Sequence, residues 1–206
     1  MAHVAVLGIS GRVGSRVAAE LLRRHHTVTG LARSVQSVPA QSGLTVKAVD
    51  AADPDALATV VSGHDALVSA TRFVGGIIAP ALIAAAKRGG VKRVLVVGGA
   101  GSLRTAPGGG ALVDTPGFPA SYQAEARAGL AFLETLRGER ELEWTFLSPS
   151  AEFAPGPRTT RFRLGTDELL IDAQGKSHIS MEDYAIAMVD EIEKPRHIRR
   201  RFTVGY

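Results

Sequence analysis

Two periodicities alternate along the chain. His3 to Leu7 is an apolar run rich in β-branched residues. After a glycine turn, Val13, Val17 and Leu21, with Ala18 and Leu22, recur at helical spacing, so the pattern predicts strand, turn, helix. Thr27 to Ala32 and Leu44 to Val49 predict two further strands. Asp53 to Val61 predicts a helix capped by Asp53, with Pro54 at its first helical position. Ala66 to Ser69 reads as a fourth strand, Ala79 to Arg88 as a helix ended by Gly89-Gly90, and Val91 to Val97 as a buried strand ended by Gly98-Gly99. The long helix Ser121 to Arg137 leads into a sixth strand, Leu142 to Leu147.

Beyond that strand the pattern changes. Pro149, Pro155 and Pro157 interrupt regular structure, Arg161 to Ile171 predicts a short hairpin about Gly165-Thr166, Met181 to Glu193 is helical, and Phe202 to Val204 predicts a last short strand. Ser102 to Pro119, rich in Gly, Pro and Ala, predicts an irregular loop long enough to be functional. Strands alternating with helices demand a parallel sheet, because each crossover helix returns the chain to the same strand direction. The expectation is an α/β fold, a doubly wound parallel sheet flanked by helices. It forms one domain over residues 1–206, in which 149–206 supplies a small wall on the substrate side.

Composition narrows the function classes. The chain has 206 residues, of which 45% are hydrophobic and 21% charged, so a sizeable core is available and disorder is not indicated. The absence of cysteine excludes disulfides, thiolate metal sites and a cysteine nucleophile, and fits a reducing cytoplasmic setting. No export pattern opens the chain, and no apolar run reaches the ~20 residues needed to span a bilayer. The net charge of +4 comes from scattered basic residues apart from Arg196 to Arg201. That cluster has no interleaved aromatics, so a solvated turn is expected rather than a nucleic-acid surface.

The first turn reads Gly8-Ile9-Ser10-Gly11-Arg12-Val13-Gly14, a G-x-x-G-x-x-G pattern between a strand and a helix. Residues lacking Cβ let backbone amides approach a pyrophosphate, and the helix points its positive end at that charge. The pattern alone is weak, but its setting between strand and helix points to a nicotinamide dinucleotide in a Rossmann-type fold. The other reading is a tight turn that holds no ligand. Proteins preferring NAD(H) carry an acid at the end of the second strand. Here Arg33-Ser34 stands there, with Arg12 as a second clamp, which favours a 2′-phosphate and hence NADP(H) over NAD(H). Asp50-Ala51, Ala70-Thr71-Arg72 and Gly98-Gly99 close the third, fourth and fifth strands and are candidate contacts by topology. Asp50 is equally a candidate cap for its own turn.

The chain resembles the atypical short-chain dehydrogenase/reductase superfamily. Within it, the likeness is to the NAD(P)H-binding, NmrA-like group that includes biliverdin-reductase-B-type flavin reductases. The likeness rests on the glycine motif, on Ala84 to Gly101, on Trp144-Thr145-Phe146-Leu147-Ser148-Pro149, and on Ile179 to Ala185. The resemblance implies a nicotinamide near Gly98 to Gly101 and near Ser148-Pro149, with the helix after Ile179 closing the far wall. It also implies that His178 points towards the pocket.

Short-chain dehydrogenases use Tyr-x-x-x-Lys. Tyr122 stands at a plausible position, but Ala126 is four residues on and Arg127 five, so the pair is missing, as is the serine usual after the fifth strand. Ser102, Tyr122, Ser148 and His178 remain as polar candidates for orienting an acceptor or donating a proton. Two readings survive: hydride transfer from NADPH to a flavin or quinone-like acceptor, or a non-catalytic sensor of the nucleotide. An epimerase or dehydratase is weakened by the missing pair. Residues 102–119 and 155–162 are expected as substrate walls, Arg158 and Arg161 as candidates for attracting an anionic acceptor, and Trp144 as core. His25, His26 and His64 are expected in solvent. No histidine pair has convincing metal-ligand spacing, so no metal is expected. The expected partners are the dinucleotide and a small-molecule acceptor, with the chain a monomer or homodimer.

Overall fold

The structure, a computed structural model, describes residues 1–206. Its order is β1 (His3–Leu7), α1 (Arg12–Arg23), β2 (Thr27–Ala32), β3 (Leu44–Ala48), α2 (Pro54–Val61), β4 (Ala66–Ser69), α3 (Ala79–Arg88) and β5 (Arg93–Val97). There follow α4 (Ala120–Gly138), β6 (Glu143–Pro149), β7 (Glu152–Ala154), β8 (Arg163–Gly165), β9 (His178–Ser180), α5 (Met181–Glu193) and β10 (Arg200–Gly205). The main sheet runs β3-β2-β1-β4-β5-β6-β10-β8, parallel throughout except for β8, which is antiparallel to β10. Strand order reverses between β1 and β4, the switch point at which open α/β sheets leave a crevice beyond their carboxyl ends.

Each strand feeds both faces, because successive side chains alternate. In β1, Val4 and Val6 enter one core cluster with Val17 and Leu21 of α1 and Tyr184 and Met188 of α5. Ala5 and Leu7 enter the opposite one, with Leu57 of α2, Leu82 of α3 and Leu133 of α4. Burying each such leucine or valine contributes about 1.5–3 kcal/mol against chain entropy, which explains why the central strands carry almost no polar side chains. Asp53 caps α2 by accepting from the Asp55 and Ala56 amides, both at 3.0 Å, as its spacing predicts.

Most predicted elements form, within a residue or two at their ends. The C-terminal third departs most. β6 continues through Ser148-Pro149, because Pro149 needs no amide donor at the strand's end, and β7 and β9 form a separate two-stranded sheet. The predicted Arg161–Ile171 hairpin does not form. Its first half, β8, pairs instead with β10, while Arg104 and Asp167–Leu169 exchange backbone hydrogen bonds. The predicted short last strand is six residues long and fills the sheet between β6 and β8. Much of 149–206 is therefore sheet and core. The segment expected to be irregular starts at the end of one 3-10 turn, Ala100–Ser102, and holds a second, Leu112–Asp114; Leu103 and Val113 are buried.

Three expectations of solvation fail. His26 is buried between the Ala2 amide and Glu193, and His64 is buried with its ring centroid 3.8 Å from that of His3. Arg201, expected in a solvated turn, is buried, and its Nε donates to Asp167 at 2.8 Å. In each case the partner is distant in sequence, so local polarity does not reveal it.

Candidate site at the carboxyl edge

The chain leaves β1 through Gly8, which has φ +87°, a conformation L side chains rarely adopt. A Cβ on Gly8 would lie 2.6 Å from the carbonyl oxygen of Ala70, and one on Gly14 would lie 2.2 Å from that of Gly8. These two glycines let loop, helix and β4 approach one another. Gly11 donates its amide to the Gly8 carbonyl at 2.9 Å and stands as N-cap of α1, with no side chain capping the helix and no acid in the first turn. The first-turn amides at Arg12, Val13 and Gly14 are thus offered outward with the positive end of the helix dipole, which suits a pyrophosphate. Ser10 is exposed beside them and lines a small groove with Ser15 and Ser37.

Around this loop the strand ends contribute unequally. Arg12 and Arg33 are exposed, and neither guanidinium is hydrogen-bonded or ion-paired within the protein, whereas the Ser34 hydroxyl donates to Gln36 at 2.6 Å. Asp50 accepts from the Ala52 amide at 3.0 Å and so caps its own turn, with Ala51 half-buried behind it. Ala70 and Thr71 lie half-buried at the end of β4, and the side chain of Arg72 is 78% exposed. Gly98 and Gly99 differ. A Cβ on Gly98 would strike the Phe146 ring at 2.3 Å, whereas one on Gly99 would meet nothing within 4 Å. Pro149 is buried opposite Val204 in the ladder and offers no open face.

The four polar candidates are not brought together. Tyr122, in the first turn of α4, is 66% exposed, and its hydroxyl is unbonded within the protein. Ser102 and Ser148 are both buried, each with an unpartnered hydroxyl, so neither is presented to solvent. His178 packs its ring at 5.0 Å from Tyr206, with Nδ1 3.5 Å from Asp172, an ion-pair distance without hydrogen-bond geometry. Its neighbours are thus Asp172, Tyr206 and, across the β7-β9 ladder, Glu152, three residues after Pro149. Arg158, a candidate for an acceptor's charge, is committed elsewhere: its Nε and Nη2 donate to the buried Glu20 of α1 at 3.0 and 2.8 Å. That draws 155–162 down onto α1 and α5 instead of forming a free wall.

Two residues that pattern reading missed shape the edge. Tyr184 of α5, fully buried, donates its hydroxyl to the Leu147 carbonyl at 2.7 Å beneath Gly98, and burial pushes its phenol well above the usual range, so it stays neutral. Glu125 of α4 accepts from the amides of Phe73 and Val74 at 2.7 and 3.0 Å, anchoring the chain that leaves β4. Glu125 had one sequence signal, an acid three residues after Tyr122. Its amide partners, 51 and 52 residues away, have none.

Comparison with known proteins follows this geometry. A family model described as NAD(P)H-binding matches residues 8–195. The chain is 46% identical to a crystal structure from Burkholderia pseudomallei described as a candidate exported protein (TM-score 0.91, all of both chains covered). It is 40% identical to a candidate epimerase from Bacteroides thetaiotaomicron (TM-score 0.94, covering 100% of this chain and 97% of that one). It is 31% identical to a candidate NADH-flavin reductase from Streptococcus pneumoniae (TM-score 0.84, covering 100% and 99%). No helix of the structure is long and apolar enough to cross a membrane.

Proposed function

The chain belongs to the NAD(P)H-binding family, and from that premise we propose that it is an NADPH-dependent reductase of flavin or quinone-like acceptors. The dinucleotide supplies a hydride, and a proton from water completes the two-electron reduction of the acceptor. Gly8, Gly11 and Gly14 with the first-turn amides of α1 hold the pyrophosphate. Arg33 and Arg12, free of internal partners, take the 2′-phosphate, and Gly99 lets the nicotinamide lie against the backbone.

The observation that carries the reading is the nicotinamide end of the crevice. Ala126, not lysine, stands one turn after Tyr122 and packs on Gly101 just beyond Gly99, and Ser148 is sealed in the core. An alcohol or ketone needs a positioned acid or base, whereas a flavin or quinone needs stacking and proximity and takes its proton from solvent. The relative described as an NADH-flavin reductase agrees with this choice.

Calorimetric titration with NADPH and NADH, followed by absorbance at the nicotinamide band after adding FMN, riboflavin or a quinone, tests the reading. NADPH should bind more tightly than NADH and be consumed in proportion to the acceptor. Tight binding without consumption would leave a nucleotide sensor in place of a reductase. The similarity to a candidate epimerase favours a second reading; because an epimerase returns its hydride, it too shows no net loss of NADPH, so consumption marks the reductase against both alternatives.

A further inference from the structure

The chain that leaves β4 runs beside the glycine loop at the carboxyl edge. On leaving β4 the chain turns back tightly, and a Cβ on Gly76 would lie 1.9 Å from the Arg72 carbonyl. Phe73 plugs this turn into α4. A Cβ on Gly129 would lie 2.9 Å from the Phe73 ring, and the rings of Phe132 and Phe146 have centroids 5.3 and 6.0 Å away. One turn before Gly129, the Glu125 carboxylate takes both the Phe73 and Val74 amides, with Arg72 Nε 3.7 Å from its second oxygen. A carboxylate accepting two backbone amides fixes the segment before any ligand arrives.

What this anchoring leaves outside is apolar. Val74 is 46% exposed, Ile78 at the start of α3 is 62% exposed, and Tyr122 on α4 stands three residues from Glu125 on the same helix face. These are three of the six exposed large apolar residues of the chain, and all stand at the carboxyl edge because α3 and α4 both begin there.

We propose that Val74, Ile78 and Tyr122 form the platform on which the flat conjugated ring of a flavin-class acceptor lies, and that Glu125 is the positioning residue that holds the platform in place. The proposal rests on the reductase reading and deepens it. Three exposed side chains on adjoining elements offer an apolar surface of small-molecule size, whereas a stable protein interface needs about 800 Å² from each partner. Aromatic and branched aliphatic side chains reward burial under a planar apolar face, and the Tyr122 ring, with its hydroxyl unbonded, is free to stack.

The test reads quenching of FMN fluorescence by protein saturated with NADP⁺, so that it does not depend on turnover. Val74→Ser and Tyr122→Ala should each weaken FMN binding by about tenfold while NADP⁺ affinity stays within about twofold. Glu125→Ala should raise the acceptor KM with little change in kcat, and Glu125→Gln, which keeps an amide-accepting oxygen, should recover part of the loss. Val74 and Tyr122 are exposed, so their variants fold and remain interpretable. Unchanged FMN affinity in both, or a parallel loss of NADP⁺ affinity, would overturn the platform. Wild-type turnover combined with unchanged variant affinities sinks the platform and leaves the reductase reading standing. Absent turnover with weakened variant binding does the reverse. If wild-type protein does not bind FMN at all, the platform falls.

Discussion

The three glycines of the first turn meet different obstacles, and their substitutions should part accordingly. At Gly14 a methyl group would collide with a backbone carbonyl at 2.2 Å, so Gly14→Ala should lower stability by about 1–3 kcal/mol, read as a lower urea midpoint. At Gly11 the nearest atom is 3.1 Å from an added Cβ, the backbone is extended, and the residue opens α1 as its N-cap. Gly11→Asp should therefore stay folded yet lose NADPH affinity by more than tenfold, because a carboxylate then faces the pyrophosphate. Retained affinity in calorimetry would remove the loop from the site. The motif itself is legible in sequence. Which glycine packs and which binds is not, because the carbonyls of Gly8 and Ala70 take their places only in the fold.

Among the elements, the segment joining β7 to β8 shows how an expected binding surface becomes a brace. The Gly156 amide donates to Glu182 at 2.7 Å, Arg16 of α1 donates to the same carboxylate at 2.6 Å, and Arg158 reaches Glu20, which Arg24 also holds at 2.8 Å. Asp183, fully buried at the start of α5, accepts from the Thr160 amide at 2.9 Å and from the Tyr206 hydroxyl at 2.8 Å. Arg158→Met, which keeps the stem and removes the charge, should cost about 1–2 kcal/mol in urea unfolding, because Glu20 loses one of its partners and keeps Arg24. The same variant should leave the acceptor KM unchanged. A large KM rise would return Arg158 to the acceptor site.

At the scale of the whole molecule, charge ties the helices together and sets the response to pH. For Glu20, Glu139, Glu182 and Glu193, burial opposes ionisation. It is outweighed by hydrogen bonds from Arg158 and Arg24, from the Glu141 amide and Lys87, from the Gly156 amide and Arg16, and from His26 and Arg24 respectively, so all four titrate below the usual carboxylate range. Their contribution is present above the unfolded value of 4.5 and is lost as pH falls through the depressed folded values. His3 is also depressed, first by partial burial and then by His64, with Asp65 opposing. Since its folded form binds its proton less readily, stability falls as pH drops below the unfolded value of 6.5. The urea midpoint should be level at neutral pH, decline gently below about 6.5 and steeply below about 4.5, and His3→Gln should remove the gentle stage. A midpoint that rises between pH 7 and 5 would contradict this account.

The sequence by itself determined the doubly wound sheet, the ends of its first five strands to within two residues, and the glycine loop with Arg33 beyond it. Periodicity and glycine spacing are local properties, and burial on both sheet faces permits few other arrangements. Only the tertiary structure decided that β10 enters the sheet beside β6, that Arg201 and His26 are buried, that Ser148 is sealed, and that Glu125 anchors the wall beside Tyr122. Each of these depends on pairing between residues tens of positions apart, and burial or hydrogen bonding across such distances leaves no pattern in the neighbouring sequence.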